Sequence, residues 1–128
     1  MEDYTEDLIN LATTNSYFRE VIETGQKMQV VVMSLKPGED IGSEVHENNE
    51  QLLIAIGGQG KVVLGDQEGP FNEGDLVIVK AGTRHNFINT GANEMKILTI
   101  YSPPHHEDGT VHQTKLEAEA AEANEPIS

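Results

Sequence analysis

GEDIGSEVHENNEQLLIAIGGQGKVVLGDQEGPFNEGDLVIVKAGTRHNFIN, residues 38–89, decides the fold of this chain. Short apolar runs, QLLIAI (51–56), KVVL (61–64), DLVIV (75–79) and NFIN (86–89), alternate with GGQG, GDQEGPFNEG and KAGTRH. Those interruptions are Gly-, Pro- and Asn-bearing turns, and runs of this length and spacing are strands. Outward from the stretch, MQVVVMSL (28–35) and MKILTIY (95–101) continue the pattern. No strand–helix alternation occurs, so the expected class is all-β, a sandwich or small barrel. Helical periodicity is confined to residues 5–13, with Thr5 as a cap, and to the Ala- and Glu-rich end.

Composition excludes several functions. The 128 residues carry 22 Asp and Glu against 8 Lys and Arg, a formal charge of −14, and no Cys. Such a chain is a poor binder of nucleic acid or anionic membrane, both polyanions. Without Cys there is no disulfide, thiolate zinc site or Cys nucleophile. No apolar run reaches the roughly 18–20 residues a bilayer requires. The acidic start, MEDYTEDL, is unlike a secretory signal, and the expected location is cytoplasmic. Glu2, Asp3, Glu6 and Asp7, with Glu117, Glu119, Glu122 and Glu125, carry eight of the fourteen net charges. KLEAEAAEANEPIS reads as a solvated acidic tail, a short frayed helix at most.

The candidate chemistry is in His, Asp and Glu. Glu44 and His46 are two apart and share a face if extended. Gln51 shares the face of Leu53 and Ala55, opposite Leu52, Ile54 and Ile56, which need a cover. Glu50, the stronger ligand, falls on the face opposite to Gln51. A carboxylate, an imidazole and an amide thus converge from two neighbouring strands. His85 follows a Gly-bearing turn and shares its face with Phe87 and Asn89. These donors suit a divalent ion of the Zn, Mn, Fe, Co or Ni group. On spacing alone, a Glu-x-His pair on a strand is more often a surface pair than a metal site. His105, His106 and His112 follow Pro103-Pro104. They form either a loop along the barrel wall, bonded to backbone or water, or a second metal site or substrate lip. Arg84, beside His85, is placed either to catch an anion or to form a surface salt bridge.

The two halves of the quoted stretch together resemble the paired motifs of the cupin superfamily. Gly38, five residues, Glu44-Val45-His46, four residues, Gln51, six residues and Gly58 match the first motif. Gly74, five residues, Lys80-Ala81-Gly82, two residues, His85, three residues and Asn89 match the second. Glu44 stands where the family has histidine, Gln51 where it has glutamate, and Lys80 where it has proline. LKPGEDIGSEVH, HNFINTG and YSPPHHEDGTVHQTKLEAEA are similar to a group of small single-domain bacterial cupins.

The resemblance implies a jelly-roll (double-stranded β-helix) barrel over 17–104, an N-terminal segment 1–16 and a loop and tail 105–128. It implies a divalent metal held by Glu44, His46, Gln51 and His85, with Leu53, Ala55, Arg84 and Phe87 about a substrate pocket. Glu44 would be a base only if it is not a ligand. The expected partner is a small oxygen-bearing organic molecule, and the expected assembly a homodimer, paired through residues 17–24 or by a partner covering Leu52, Ile54 and Ile56. The implied function is a metal-dependent dioxygenase, isomerase or lyase, or else a non-catalytic ligand-binding module.

Overall fold

The computed structural model describes residues 3–123. Its elements are α1 (Leu8–Thr14), β1 (Arg19–Thr24), β2 (Gln29–Leu35), β3 (Glu50–Gly57), β4 (Gly60–Leu64), β5 (Gln67–Pro70), β6 (Leu76–Val79), β7 (His85–Asn89), β8 (Met95–Ser102), β9 (Val111–His112) and α2 (Lys115–Ala123). Two antiparallel sheets face each other as a jelly roll. One has the order β6-β3-β8-β2-β1-β9 and the other β5-β4-β7. The expected all-β jelly-roll barrel is what the chain forms.

Pleat alternation fills the barrel. Val31, Met33 and Leu35 of β2, Leu53 and Ala55 of β3, Phe87 of β7 and Ile97 of β8 are buried in one cluster. Each large side chain there is worth roughly 1.5–3 kcal/mol of burial. The inward row nearest the site runs Gln29, Tyr101, Gln51, Val79 across β2, β8, β3 and β6. Two rows away, Arg19 of β1 pairs Met33, which pairs Ile97. Gly60 lies so close to the neighbouring strand that a Cβ would meet the Ile88 carbonyl at 2.5 Å. Asn89 is buried and donates through Nδ2 to the Leu35 and Asn93 carbonyls, at 2.9 and 2.8 Å. It therefore pins the end of β7 to β2 and to the following turn.

Several expectations are corrected. Asp7, not Thr5, caps α1, accepting from the Asn10 amide at 3.1 Å. The outer apolar face around Ile54 and Ile56 has a cover within the chain, the helix α1. Leu11 and Ala12 of α1 pack there with Val32, Ile54, Ile56 and Leu98, because a short helix with one apolar side fits a flat strand surface. Residues 19 and 20, within the segment expected to pair between copies, have neighbours on both sides in this chain, β2 and β9. The acidic end is not merely solvated. Ala118 of α2 is 2% exposed and joins the core, its small side chain letting the helix sit against the barrel. Lys115 also ion-pairs with Asp40. Residues 124–128 lie outside the described residues. Among the described residues no helix is long and apolar enough to cross a membrane.

Candidate metal centre

Both sheets contribute to the centre. The segment carrying Glu44 and His46 is extended, but it does not pair with β3 as expected. It lies against β7, where Glu44 and His85 exchange backbone hydrogen bonds of 2.9 Å each way. Residues directly opposite in an antiparallel pair project to the same side, so Glu44 and His85 point together into the barrel. The preference of the β2–β3 connection for β7 follows from its ladder with residues 40–44, including the Asp40–Ile88 bridge. Gly82, at φ +86, makes the turn that leads into β7, and its amide donates to the His46 carbonyl at 2.9 Å. That φ is left-handed and favours glycine. Gln51 arrives from β3, 4% exposed, while Glu50 points outward.

Ligand-capable atoms of Glu44, His46 and His85 all lie within 4.8 Å of one another. Nε2 of His46 and Oε2 of Glu44 are 2.8 Å apart, yet this buried nitrogen has no partner in hydrogen-bond geometry. Close approach without a directed N–H is what two donors aimed at a shared point produce. Ligands at bond lengths of about 2.1 Å occupy neighbouring corners of an octahedron about 3 Å apart. The amide of Gln51 is oriented too, since Nε2 donates to Thr99 Oγ1 at 3.0 Å while Oε1 is buried without a partner. A buried unpaired carbonyl oxygen is costly, and a cation would satisfy it. Thr99→Val is expected to free that amide and weaken metal binding about 10-fold, as loss of a ligand-orienting partner does. A metal titration giving the wild-type affinity would show that Thr99 does not orient it.

Protonation states favour ligation. His85 Nδ1 lies 2.9 Å from the Thr83 carbonyl, so the proton sits on Nδ1 and the Nε2 lone pair is free. Burial, with the charges of His46 and Arg84, holds this imidazole below its ordinary value against the opposing Thr83 bond and Glu44. Burial would raise the Glu44 carboxyl, but His46, Arg19 and His85 together hold it below the carboxylate range. Glu44 is an anion and His85 a neutral donor at neutral pH.

Around this cluster the loop after β8 folds over the mouth. The His105 ring lies 4.4 Å from that of His46 and stacks on Tyr101 at 5.3 Å. His106 Nε2 is 3.4 Å from Tyr101 Oη, and His112 Nδ1 accepts from Arg19 at 3.2 Å. The histidine rings thus meet side chains inside and above the barrel. Among the described residues they form no second metal cluster. A pocket of about 210 Å³ opens beside the centre, lined by Val45, His46, Glu47, Asn48, Asn49, Pro103, Pro104 and His105. Leu53, Ala55 and Phe87 belong to the packed core beneath it. Arg84 lies outside, its guanidinium donating to Ser43 Oγ at 3.3 Å.

The sequence reading passed over Tyr101, Gln29 and Arg19. Tyr101 and Gln29 share the inward row of Gln51, a signal that strand parity carries once the register is known. Gln29 clamps the mouth loop, donating to the His106 carbonyl at 2.7 Å and accepting from the His106 amide at 3.0 Å.

A model of the cupin domain matches residues 31–101. The chain belongs to the cupin family. This cupin superposes on a crystal structure from Bacillus halodurans with a TM-score of 0.92 and 35% identity, covering 93% of this chain and 95% of that one. It is 46% identical over 121 residues to the uncharacterized protein YrkC of Bacillus subtilis, covering 89% of this cupin and 65% of the relative. An uncharacterized protein of Acanthamoeba polyphaga mimivirus is 39% identical, across 76% of this cupin and 63% of that protein. The chain therefore spans less than two thirds of the length of these two relatives.

Proposed function

We propose that this cupin is a metal-dependent enzyme acting on a small oxygen-bearing organic substrate. In this reading Glu44, His46, Gln51 and His85 hold one divalent ion of the Zn, Mn, Fe, Co or Ni group. The observation that carries it is the gathering of ligand atoms of Glu44, His46 and His85 within 4.8 Å of one another, beside which stands the buried, unpaired oxygen of Gln51 on β3. Two nitrogen and two oxygen donors with one negative charge fit that group of metals. Once bound, the ion would act as a Lewis acid or bring substrate and dioxygen together, the chemistry of a dioxygenase, isomerase or lyase.

The chain's own residues do the rest. Glu44 offsets one charge of the ion, and His85 is held in the ligating tautomer by Thr83. Glu47, Asn48, Asn49 and His105 give the entrance polar contacts for a small molecule. An octahedral ion with these four ligands keeps two adjacent or opposed positions for substrate. Elemental analysis of purified protein, followed by turnover assays on diols, keto acids and β-diketones with and without dioxygen, tests the reading. Metal-free protein with stability indifferent to EDTA would sink the metal site. Metal uptake with no turnover across the panel favours the non-catalytic ligand-binding module.

The cytoplasm and a homodimer complete the proposal. The dimer is supported by Leu76 and Ile78, 60% and 56% exposed on edge strand β6 beside Leu52. Light scattering at micromolar concentration should give twice the chain mass, and a single-chain mass rules the dimer out.

A further inference from the structure

Of the three histidines after β8, His106 meets the Tyr101 hydroxyl and His112 meets Arg19. Neither ring nitrogen of His105 has a hydrogen-bond partner among the described residues. Nor are they sealed from solvent, since the buried unpartnered atoms there belong to Arg19, His46 and Gln51. The ring is nonetheless held in place. It stacks on Tyr101 at 5.3 Å and meets the His46 ring edge-on at 4.4 Å. Its backbone amide donates to Gln29 Oε1 at 3.2 Å. Two residues earlier, the Pro103 carbonyl accepts from Asn49 Nδ2 at 2.6 Å. A polar group fixed by its neighbours, with its hydrogen-bonding capacity unspent, is preorganised for a ligand.

A cavity joins His105 to the centre. His105 and His46 line the same pocket, of about 210 Å³. His46 also belongs to the metal cluster, its Nε2 standing 2.8 Å from the Glu44 carboxylate. At roughly 30 Å³ per water the pocket has room for a ligand of about six to eight non-hydrogen atoms. Its lining sets what that ligand can be. Glu47 is its one formally charged residue, and no lysine or arginine lines it. Asn49 spends its Nδ2 on Pro103, which leaves Oδ1 without a partner among the described residues. The Glu47 carboxylate likewise accepts no hydrogen bond there. Two acceptors thus stand beside an imidazole, which carries at least one N–H in either protonation state.

We propose that His105 is a substrate-binding residue, and that the pocket it shares with His46, Glu47 and Asn49 takes a small, neutral, multiply hydroxylated molecule. This rests on the metal reading above and narrows its substrate class. A hydroxyl donates to Glu47 or Asn49 and accepts from the His105 N–H at once, whereas a carbonyl oxygen only accepts and a methyl does neither. A carboxylate in the same place would meet Glu47 with no cation from the chain to offset it.

The test uses three-carbon probes, glycerol, propane-1,2-diol and glycerate, by calorimetry on Mn²⁺-loaded and metal-free protein. The first two share a vicinal diol and differ only in the third hydroxyl. Loaded wild type should bind glycerol at least about 5-fold more tightly than propane-1,2-diol, the size of one to two neutral hydrogen bonds. His105→Phe keeps a ring on Tyr101 and removes both nitrogens. It should abolish most of that preference while leaving propane-1,2-diol binding and Mn²⁺ affinity unchanged. Weakened Mn²⁺ binding would make His105 a metal ligand and overturn the assignment. Glu47→Gln removes the carboxylate and should shift the glycerate-to-glycerol affinity ratio toward glycerate by at least about 5-fold. This variant keeps the proposal falsifiable if His105→Phe does not fold, because an unshifted ratio overturns it. Mn²⁺ uptake with glycerol and propane-1,2-diol bound alike overturns this inference alone. Failure to take up Mn²⁺, with His105-dependent glycerol binding in metal-free protein, overturns the metal reading alone. Absence of glycerol binding in both states overturns the substrate class.

Discussion

Replacing His85 by alanine should lower metal affinity by at least about 100-fold, because the loss of a ligand exceeds the 10- to 100-fold effects of removing ligand-orienting partners. Three features of His85 make it the most sensitive position. Its side chain is 4% exposed, so water does not readily take its place. Its Nδ1 proton is committed to the Thr83 carbonyl, so the ligating nitrogen is set in advance. Its backbone is bonded to Glu44 in both directions, so the alanine variant keeps the main-chain framework. The variant should fold, and circular dichroism should match the wild type. Binding to the native state alone stabilises by about 4 kcal/mol at a thousandfold excess over Kd. EDTA should therefore lower the melting temperature of metal-loaded wild type and leave His85→Ala unmoved. Equal metal content in the two proteins, each dialysed against a competing chelator, would exclude His85 as a ligand. Glu44→Ala should behave similarly, with the added loss of the charge that offsets the ion.

How much of this could be read from the residues depended on whether the signal was local. The strands of the main barrel announce themselves as apolar runs between turns, and strand parity places Gln51 inward and Glu50 outward without any coordinates. β5, QEGP, carries almost no apolar pattern. It exists because its backbone completes a ladder with β4, from Lys61–Pro70 to Leu64–Gln67. The partner of the Glu44 segment is a long-range choice of the same kind. Nothing near Glu44 says that it will face His85 rather than the edge of β3. Arg19 was the largest omission. In REVIET an arginine at a strand's start reads as a surface residue, and its burial depends on β9 and α2, which arrive some 90 residues later. The C-terminal helix was legible as helix-tolerant, but its docking depends on Ala118, an alanine indistinguishable in sequence from its neighbours.

Acid should destabilise the fold in a specific window set by His106. Burial first, and then the charge of Arg19 with those of His105, His112 and His46, pushes this imidazole down from 6.5 to about 2. Tyr101 Oη stands 3.4 Å from its Nε2, and Gln29 holds its backbone amide and carbonyl. The folded protein therefore refuses a proton that the unfolded chain accepts near pH 6.5. The unfolded state binds more protons below that value, so stability falls as the pH falls, and the full contribution is present above it. Between pH 7 and pH 4.5 the loss from this group is about 2 kcal/mol. Glutamine at position 106 can still hydrogen-bond to Tyr101 but cannot be protonated. Wild type should therefore lose about 2 kcal/mol relative to His106→Gln over that range, measured by urea unfolding in EDTA so that metal release makes no contribution. His105, pushed down to about 4 mainly by burial, acts in the same window, but it is present in both proteins and cancels in the difference. Asp40 is also depressed, its burial outweighed by the hydrogen bonds of Asn86 and Lys115. Its contribution is present above the ordinary carboxylate value and disappears only below it, outside the histidine window. Parallel stability curves for the two proteins from pH 7 to pH 4.5 would mean that His106 takes up its proton in the folded state, and that the barrel mouth opens enough to hydrate it.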